Sequence, residues 1–146
     1  MKIEILPCLW ISTFKVSENA SFLLDKNIGF LVNCQNDLDF LGKSKNYNHE
    51  ISLNVQKYEI LKFNKYLFEI TERIHNKIKN NINTLVFCEN AIQKSPTIIL
   101  CYLMRYGMIN YQNSLEILRT KCPDVFKPNI EYENTIKKFM EDLFNN

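Results

Sequence analysis

Residues 85–104, LVFCENAIQKSPTIILCYLM, constrain this chain more than any other segment. They read as a strand ending at Cys88, a loop of seven to eight residues, and a helix opened by Ser95 and Pro96. Serine suits an N-cap and proline suits the first helical turn. The run Thr97–Met104 is apolar on nearly all sides, so the helix expected over Pro96–Tyr106 belongs in the interior; it is far below membrane length. A loop feeding a helix N-terminus points backbone N–H groups at its own centre and makes an anion cradle. A cysteine at the start of such a loop is held where the thiolate is favoured over the thiol. The geometry suggests a thiolate nucleophile facing a phosphate.

The flanking pattern supplies the scaffold. Ile3–Ile5 and Leu9–Ile11 read as short strands around a turn at Pro7, and Ser17–Lys26 as a short helix with Ser17 as its N-cap. Ile28–Asn33 and Glu50–Leu53 read as strands, and Thr84–Phe87 as a central one. In Ile60–Lys79 the residues Leu61, Leu67, Phe68, Ile70, Ile74 and Ile78 recur at helical steps, predicting a long amphipathic helix. Tyr111–Lys121 and Ile130–Phe144 read as two further helices. Alternating strands and helices predict an α/β architecture in three layers, a mixed sheet of about five strands flanked by helices. Ligand sites in such sheets lie where a central strand ends and the next helix begins, here Cys88–Ser95.

Composition narrows the function classes. A chain of 146 residues with 46% hydrophobic and 23% charged residues is expected to form one globular domain over 1–146. A formal charge of +2 is too small to argue for nucleic acid or an acidic membrane surface, and neither is expected as a partner. The opening MKIEILPCLWIS carries Glu4 in its apolar stretch, and reads as neither a signal peptide nor a membrane span. Cys8, Cys34, Cys88, Cys101 and Cys122 form no CxxC pair and no ladder with His49 or His75, so no metal, cofactor or disulfide framework is expected. A reducing compartment, cytosol or nucleus, is the simplest reading. The abundance of asparagine, lysine and isoleucine is that of AT-rich genomes, those of large DNA viruses and protists among them; for a virus the compartment is host cytoplasm.

The central segment resembles the signature loop of cysteine-dependent dual-specificity phosphatases, His-Cys-x5-Arg-Ser-Pro-Thr, followed by an apolar helix ending in Tyr-Leu-Met. The resemblance covers nearly the whole chain. Ile5-Leu6-Pro7 and Leu9-Trp10-Ile11-Ser12 are similar to the family's opening strands, Ile28–Cys34 to a strand with Asn near its end, and Pro123 and Pro128-Asn129 to its approach to the last helix. It implies the dual-specificity phosphatase fold. It also implies Cys88 as a vestigial nucleophile, Ser95 as the hydroxyl assisting the leaving thiolate, and Cys88, Glu89, Asn90, Ala91, Ile92, Gln93 and Lys94 as the anion-binding loop.

The same resemblance marks degenerate positions. Lys94 stands where the family has arginine, keeping the charge but losing the planar fork that grips two phosphoryl oxygens. Phe87 replaces the histidine before the cysteine. Ala91 stands at a glycine position, where a Cβ is strained if φ is positive. Glu89 adds a carboxylate to a loop meant for an anion. The general-acid position, after a strand of the type Ile-x-Leu-x-Asp, falls on Val55; valine has no proton to give, and neither has Asn54. A general acid is worth about 10²–10⁴ in rate, and one well-aimed charge-stabilising donor about 10²–10³. The smaller of each already gives a loss on the order of 10⁴, although such factors are not strictly additive.

The expectation is a pseudophosphatase that binds a protein partner, phosphorylated or not, without dephosphorylating it. The alternatives are a weak cysteine-dependent protein-tyrosine or dual-specificity phosphatase, acting through phosphocysteine, and a scaffold or homodimer using another surface. Cys88 reads either as a partly reactive thiol or as an inert buried one. Lys94 reads either as an anion contact or as a solvated lysine turned away. Ser95 reads as an N-cap before a catalytic hydroxyl. The other four cysteines read as structural, and His49 and His75 as surface residues.

Overall fold

Successive residues of a strand face opposite sides of a sheet, and in this chain both sides are apolar. The computed structural model describes residues 1–34, 50–52 and 55–145, with the backbone alone at 50–52. Leu53, Asn54 and His49 of the sequence reading lie outside the described residues. Strands β1 (Lys2–Leu6), β2 (Leu9–Thr13), β3 (Ile28–Asn33), β4 (Glu50–Ser52) and β5 (Asn83–Cys88) form one mixed sheet in the order β1-β2-β5-β3-β4. The β1–β2 pair is antiparallel, whereas β2–β5, β5–β3 and β3–β4 are parallel.

Residue alternation sorts the two faces. Leu9, Ile11, Phe30, Val32, Val86 and Cys88 join one buried cluster with residues of helices α3 (Ile60–Lys79), α4 (Lys94–Arg105), α5 (Tyr111–Lys121) and α6 (Glu133–Phe144). Leu31, Leu85 and Phe87 join Phe22 and Leu23 of α2 (Ala20–Asp25) on the other face, where Trp10, Phe14 and Val16 pack against them; Phe14 and Val16 belong to α1 (Phe14–Ser17). The α/β three-layer arrangement with five strands agrees with the expectation. Among the described residues no helix is long and apolar enough to cross a membrane.

Three expected details change. The helix read over Ser17–Lys26 is broken in two, and its cap is Asn19, whose Oδ1 accepts from the Phe22 N–H at 3.1 Å. Ser17 ends α1 instead, buried, with its hydroxyl donating to the Phe14 carbonyl. Leu61, assigned to the apolar stripe of α3, is 74% exposed, while Phe63, Leu67, Ile70 and Ile74 are buried. At about 100° per residue Leu61 stands about 180° round the helix from Ile70. The last helix begins at Glu133 rather than Ile130. The backbone before it is drawn into side-chain hydrogen bonds with Gln93, which take the carbonyl of Asn129 and the N–H of Glu131 out of any helical ladder.

His75 also departs from a free surface position. It is half-buried, stacked on Tyr106 with ring centroids 4.0 Å apart, and its Nδ1 lies 3.3 Å from the Tyr102 hydroxyl.

The two leucines of α3 give a direct check. Leu67→Ala removes a fully buried side chain and is expected to cost about 2–5 kcal/mol. Leu61→Ala is expected to stay within about 0.5 kcal/mol of wild type. Urea unfolding of the two variants reads both values.

Candidate functional site

Strand β5 delivers Cys88 to the carboxyl edge of the sheet, paired in register with Thr13 of β2. Cys88 is 5% exposed, and its Sγ lies 3.1 Å from the Ser95 hydroxyl. Ser95 is fully buried inside the first turn of α4, which starts at Lys94 with Gln93 in the cap position. This corrects the N-cap reading of Ser95: the hydroxyl faces the cysteine, and no side chain caps the helix.

The loop between them is tied down on several sides. The Phe14 N–H donates to the Glu89 carbonyl at 3.4 Å, and the Phe126 N–H to the Ile92 carbonyl at 2.8 Å. Asn90 Oδ1 accepts from the Ile92 N–H at 3.1 Å, so one amide of the expected cradle is taken by the loop's own asparagine. The Gln93 side chain turns away toward residues 127–131. Its amide donates to the carbonyls of Lys127 (3.2 Å) and Asn129 (2.8 Å), and its Oε1 accepts from the Glu131 N–H (3.1 Å). Gln93 therefore belongs to the loop through its backbone, and its side chain braces the loop against the chain preceding α6. Glu89 and Asn90 are exposed.

The degenerate positions now have surroundings. Ala91 is 1% exposed with φ of 61°, the left-handed conformation that favours glycine. The loop thus keeps a glycine backbone path with a Cβ added. Phe87 is fully buried on the sheet face opposite Cys88, its ring centroid 6.2 Å from that of Phe14. From there it does not close over the loop. Lys94 is 7% exposed, which rules out a solvated lysine turned away, and its charge bears on Cys34. Val55 is 0% exposed within the same apolar cluster as Cys34, Cys88 and Ala91.

Two residues outside the expected set join this site. Cys34 follows β3 and is 2% exposed, and its N–H donates to the Phe87 carbonyl at 2.8 Å. Burial pushes the Cys34 thiol well up, the Cys88 charge adds to this, and Lys94 opposes it. Tyr132 packs edge-on against Phe63 with centroids 5.0 Å apart. Its hydroxyl is likewise pushed up by burial first, then by Glu131, Cys88 and Cys34. The sequence signal for Cys34 is its place just beyond the strand beside β5; nothing local marks Tyr132 or the reach of Gln93. Among the described residues no group of three or more His, Cys, Asp or Glu side chains is arranged to hold a metal.

A buried thiol beside a hydroxyl, at the mouth of a strand–loop–helix unit with a buried lysine, is the arrangement that the resemblance to dual-specificity phosphatases leads one to expect. The family profile described as Dual specificity phosphatase, catalytic domain, matches residues 9–142, and the chain belongs to that family. A MAP kinase phosphatase with leucine-rich repeats, protein 3 of Dictyostelium discoideum, is 24% identical over 143 residues, covering 97% of this chain and 16% of the relative. The chain therefore spans only a small part of that relative's length. Human DUSP28 superposes with a TM-score of 0.84 at 16% identity, covering 98% of this chain and 95% of that one. The human tyrosine phosphatase-like serine/threonine/tyrosine-interacting protein superposes with a TM-score of 0.80 at 14% identity, covering 99% and 98%. At these identities the two structures speak for the fold.

Two substitutions test this description. At Ala91, relief of left-handed strain (about 1–2 kcal/mol) opposes the lost burial of a methyl (about 0.8 kcal/mol) and the added freedom of the unfolded chain. Ala91→Gly is therefore expected to leave stability within about 1 kcal/mol of wild type, and Ala91→Val to lower it by about 2 kcal/mol or more, in thermal unfolding. Val55→Asp puts a carboxyl into a dry site and is expected to cost at least about 2 kcal/mol. A Val55→Asp protein as stable as wild type in chemical denaturation would contradict the buried placement of this residue.

Proposed function

We propose that this chain is a pseudophosphatase domain that engages a phosphorylated side chain of a protein partner over Cys88–Lys94 without turning it over efficiently. The observation that carries the reading is the burial of Val55: the residue that the family resemblance sets at the general-acid position is an apolar side chain with no exposure at all. A bound phosphoester has no proton donor there for its leaving oxygen, a loss of about 10²–10⁴ in rate. Lys94 supplies charge without the bidentate grip that follows the phosphoryl group through its transition state. What supports binding is the retained frame: α4 directs its N-terminus at the loop, Ala91 preserves the left-handed turn, and Lys94 adds buried positive charge. One structural neighbour is named as phosphatase-like and as an interacting protein, a precedent within the fold for binding under such a frame.

One observation favours a second reading. The 3.1 Å contact of Cys88 with Ser95 keeps nucleophile and hydroxyl together, the pair a weak hydrolase needs for substrates with good leaving groups.

Hydrolysis of an activated aryl phosphate and binding of a phosphotyrosine peptide separate the two. Wild type is expected to hydrolyse no faster than Cys88→Ser. It is also expected to bind the peptide, with Lys94→Gln and Lys94→Glu at least about tenfold weaker while retaining native near-ultraviolet dichroism. Cysteine-dependent turnover well above the Cys88→Ser control would establish the hydrolase reading instead. Peptide affinity unchanged in both folded Lys94 variants would take the loop out of the interaction.

A further inference from the structure

Between residues 90–92 of the loop, strand β1 and the chain that follows α5 lies a cavity of about 150 Å³. Its floor is closed: Ala91, Cys122 and Val125 line it and are almost fully buried. Its rim is open, with Asn90 and Asp124 exposed and Ile3 partly so. Backbone contacts fix the wall. The Ile92 carbonyl accepts from the Phe126 N–H at 2.8 Å, and the Ile92 N–H donates to Asn90 Oδ1 at 3.1 Å. Burial pushes the Cys122 thiol up and outweighs the opposing pull of Lys121, so the floor carries no charge.

We propose that this cavity is a specificity pocket that takes one apolar side chain, of leucine or methionine size, from the partner segment whose phosphorylated residue lies over Cys88–Lys94. The inference rests on the phosphopeptide reading above and adds to it the chemistry of a neighbouring residue. Asn90, Ala91 and Ile92 line the cavity and belong to the loop, so the two sites are continuous. An extended chain advances about 3.3–3.6 Å per residue, which brings a side chain within about three residues of the phosphorylated one to the mouth of the cavity.

Size and polarity select the occupant. Clefts for drug-sized ligands begin at about 300 Å³, whereas an apolar cavity of about 150 Å³ holds a molecule the size of benzene. One aliphatic side chain is of that order. A charged head group would lose its water against a floor of methyl groups and a neutral thiol, which offers it no compensating charge. The rim does not draw an anion either. Asp124 is paired with Lys127 at 3.4 Å with both side chains exposed, so the mouth gains no net positive charge. The loop thus reads the phosphate and the pocket reads an apolar neighbour.

Fluorescence polarisation of phosphotyrosine peptides with the full chain tests the pocket, with leucine, alanine or aspartate placed in turn at each position near the phosphotyrosine. At one position leucine is expected to bind at least about tenfold tighter than alanine, and aspartate no tighter than alanine. Cys122→Leu and Val125→Met fill the cavity from its floor, and in them the leucine preference is expected to fall to within about twofold. Lys94→Gln is expected to weaken the leucine and alanine peptides alike and to keep their ratio, which reads the loop and the pocket separately. The wild-type scan needs no variant, so a floor substitution that fails to fold leaves the test intact. Phosphate-dependent binding with no leucine preference at any position would overturn the pocket and leave the loop reading standing. So would a preference undiminished in a folded floor variant. Binding of no phosphopeptide would overturn both.

Discussion

Strand β5 is hydrogen-bonded along both edges and covered on both faces, and the other elements take their places from it. Its apolar residues Leu85, Val86 and Phe87 have no solvent exposure, so it can only be a central strand. Parallel pairing with β2 and β3 brings all three strands to an end at one edge of the sheet, where Thr13, Cys34 and Cys88 come together. Alternation then separates consecutive residues by function. Cys88 faces the layer of α3–α6, and Phe87 fills the core beneath α1 and α2.

The loop that follows is held by its surroundings more than by its own preferences. The chain has three glycines, yet six other residues take positive φ among those described: Cys8, Asn27, Asn81, Ala91, Met108 and Phe126. Asparagine tolerates that conformation at the ends of α2 and α3. Ala91 and Phe126 do not, at about 1–2 kcal/mol each. Both are buried beside the loop, where the Phe126 N–H meets the Ile92 carbonyl, so tertiary contacts impose the strain.

Periodic features were legible in the sequence. The bounds of β3, α3 and α5 follow from runs of apolar residues at strand or helix spacing, and the strand–loop–helix order located Cys88, Ser95 and Lys94. Legibility failed where the deciding partner is distant. Ser95 has the chemistry of a cap, but the hydroxyl is engaged by a sulfur seven residues back. Asn19 displaced Ser17 because the two have similar capping preference and only packing chooses between them. Lys94 is a surface residue by composition and a buried one by position, since α4 is enclosed from its first turn. The first turn of the expected last helix was lost to Gln93, whose partners lie 34 to 38 residues away.

Those three hydrogen bonds make the loop and the approach to α6 one mechanical unit. Transplanting the loop of a relative into this chain would therefore not be a local exchange. A donor loop without glutamine at position 93 would deprive the carbonyls of Lys127 and Asn129 and the N–H of Glu131 of the part-buried partner each now has. A chimera of this fold has to carry residues 88–95 and 127–132 together, two segments far apart in the chain that the glutamine joins into one inherited block.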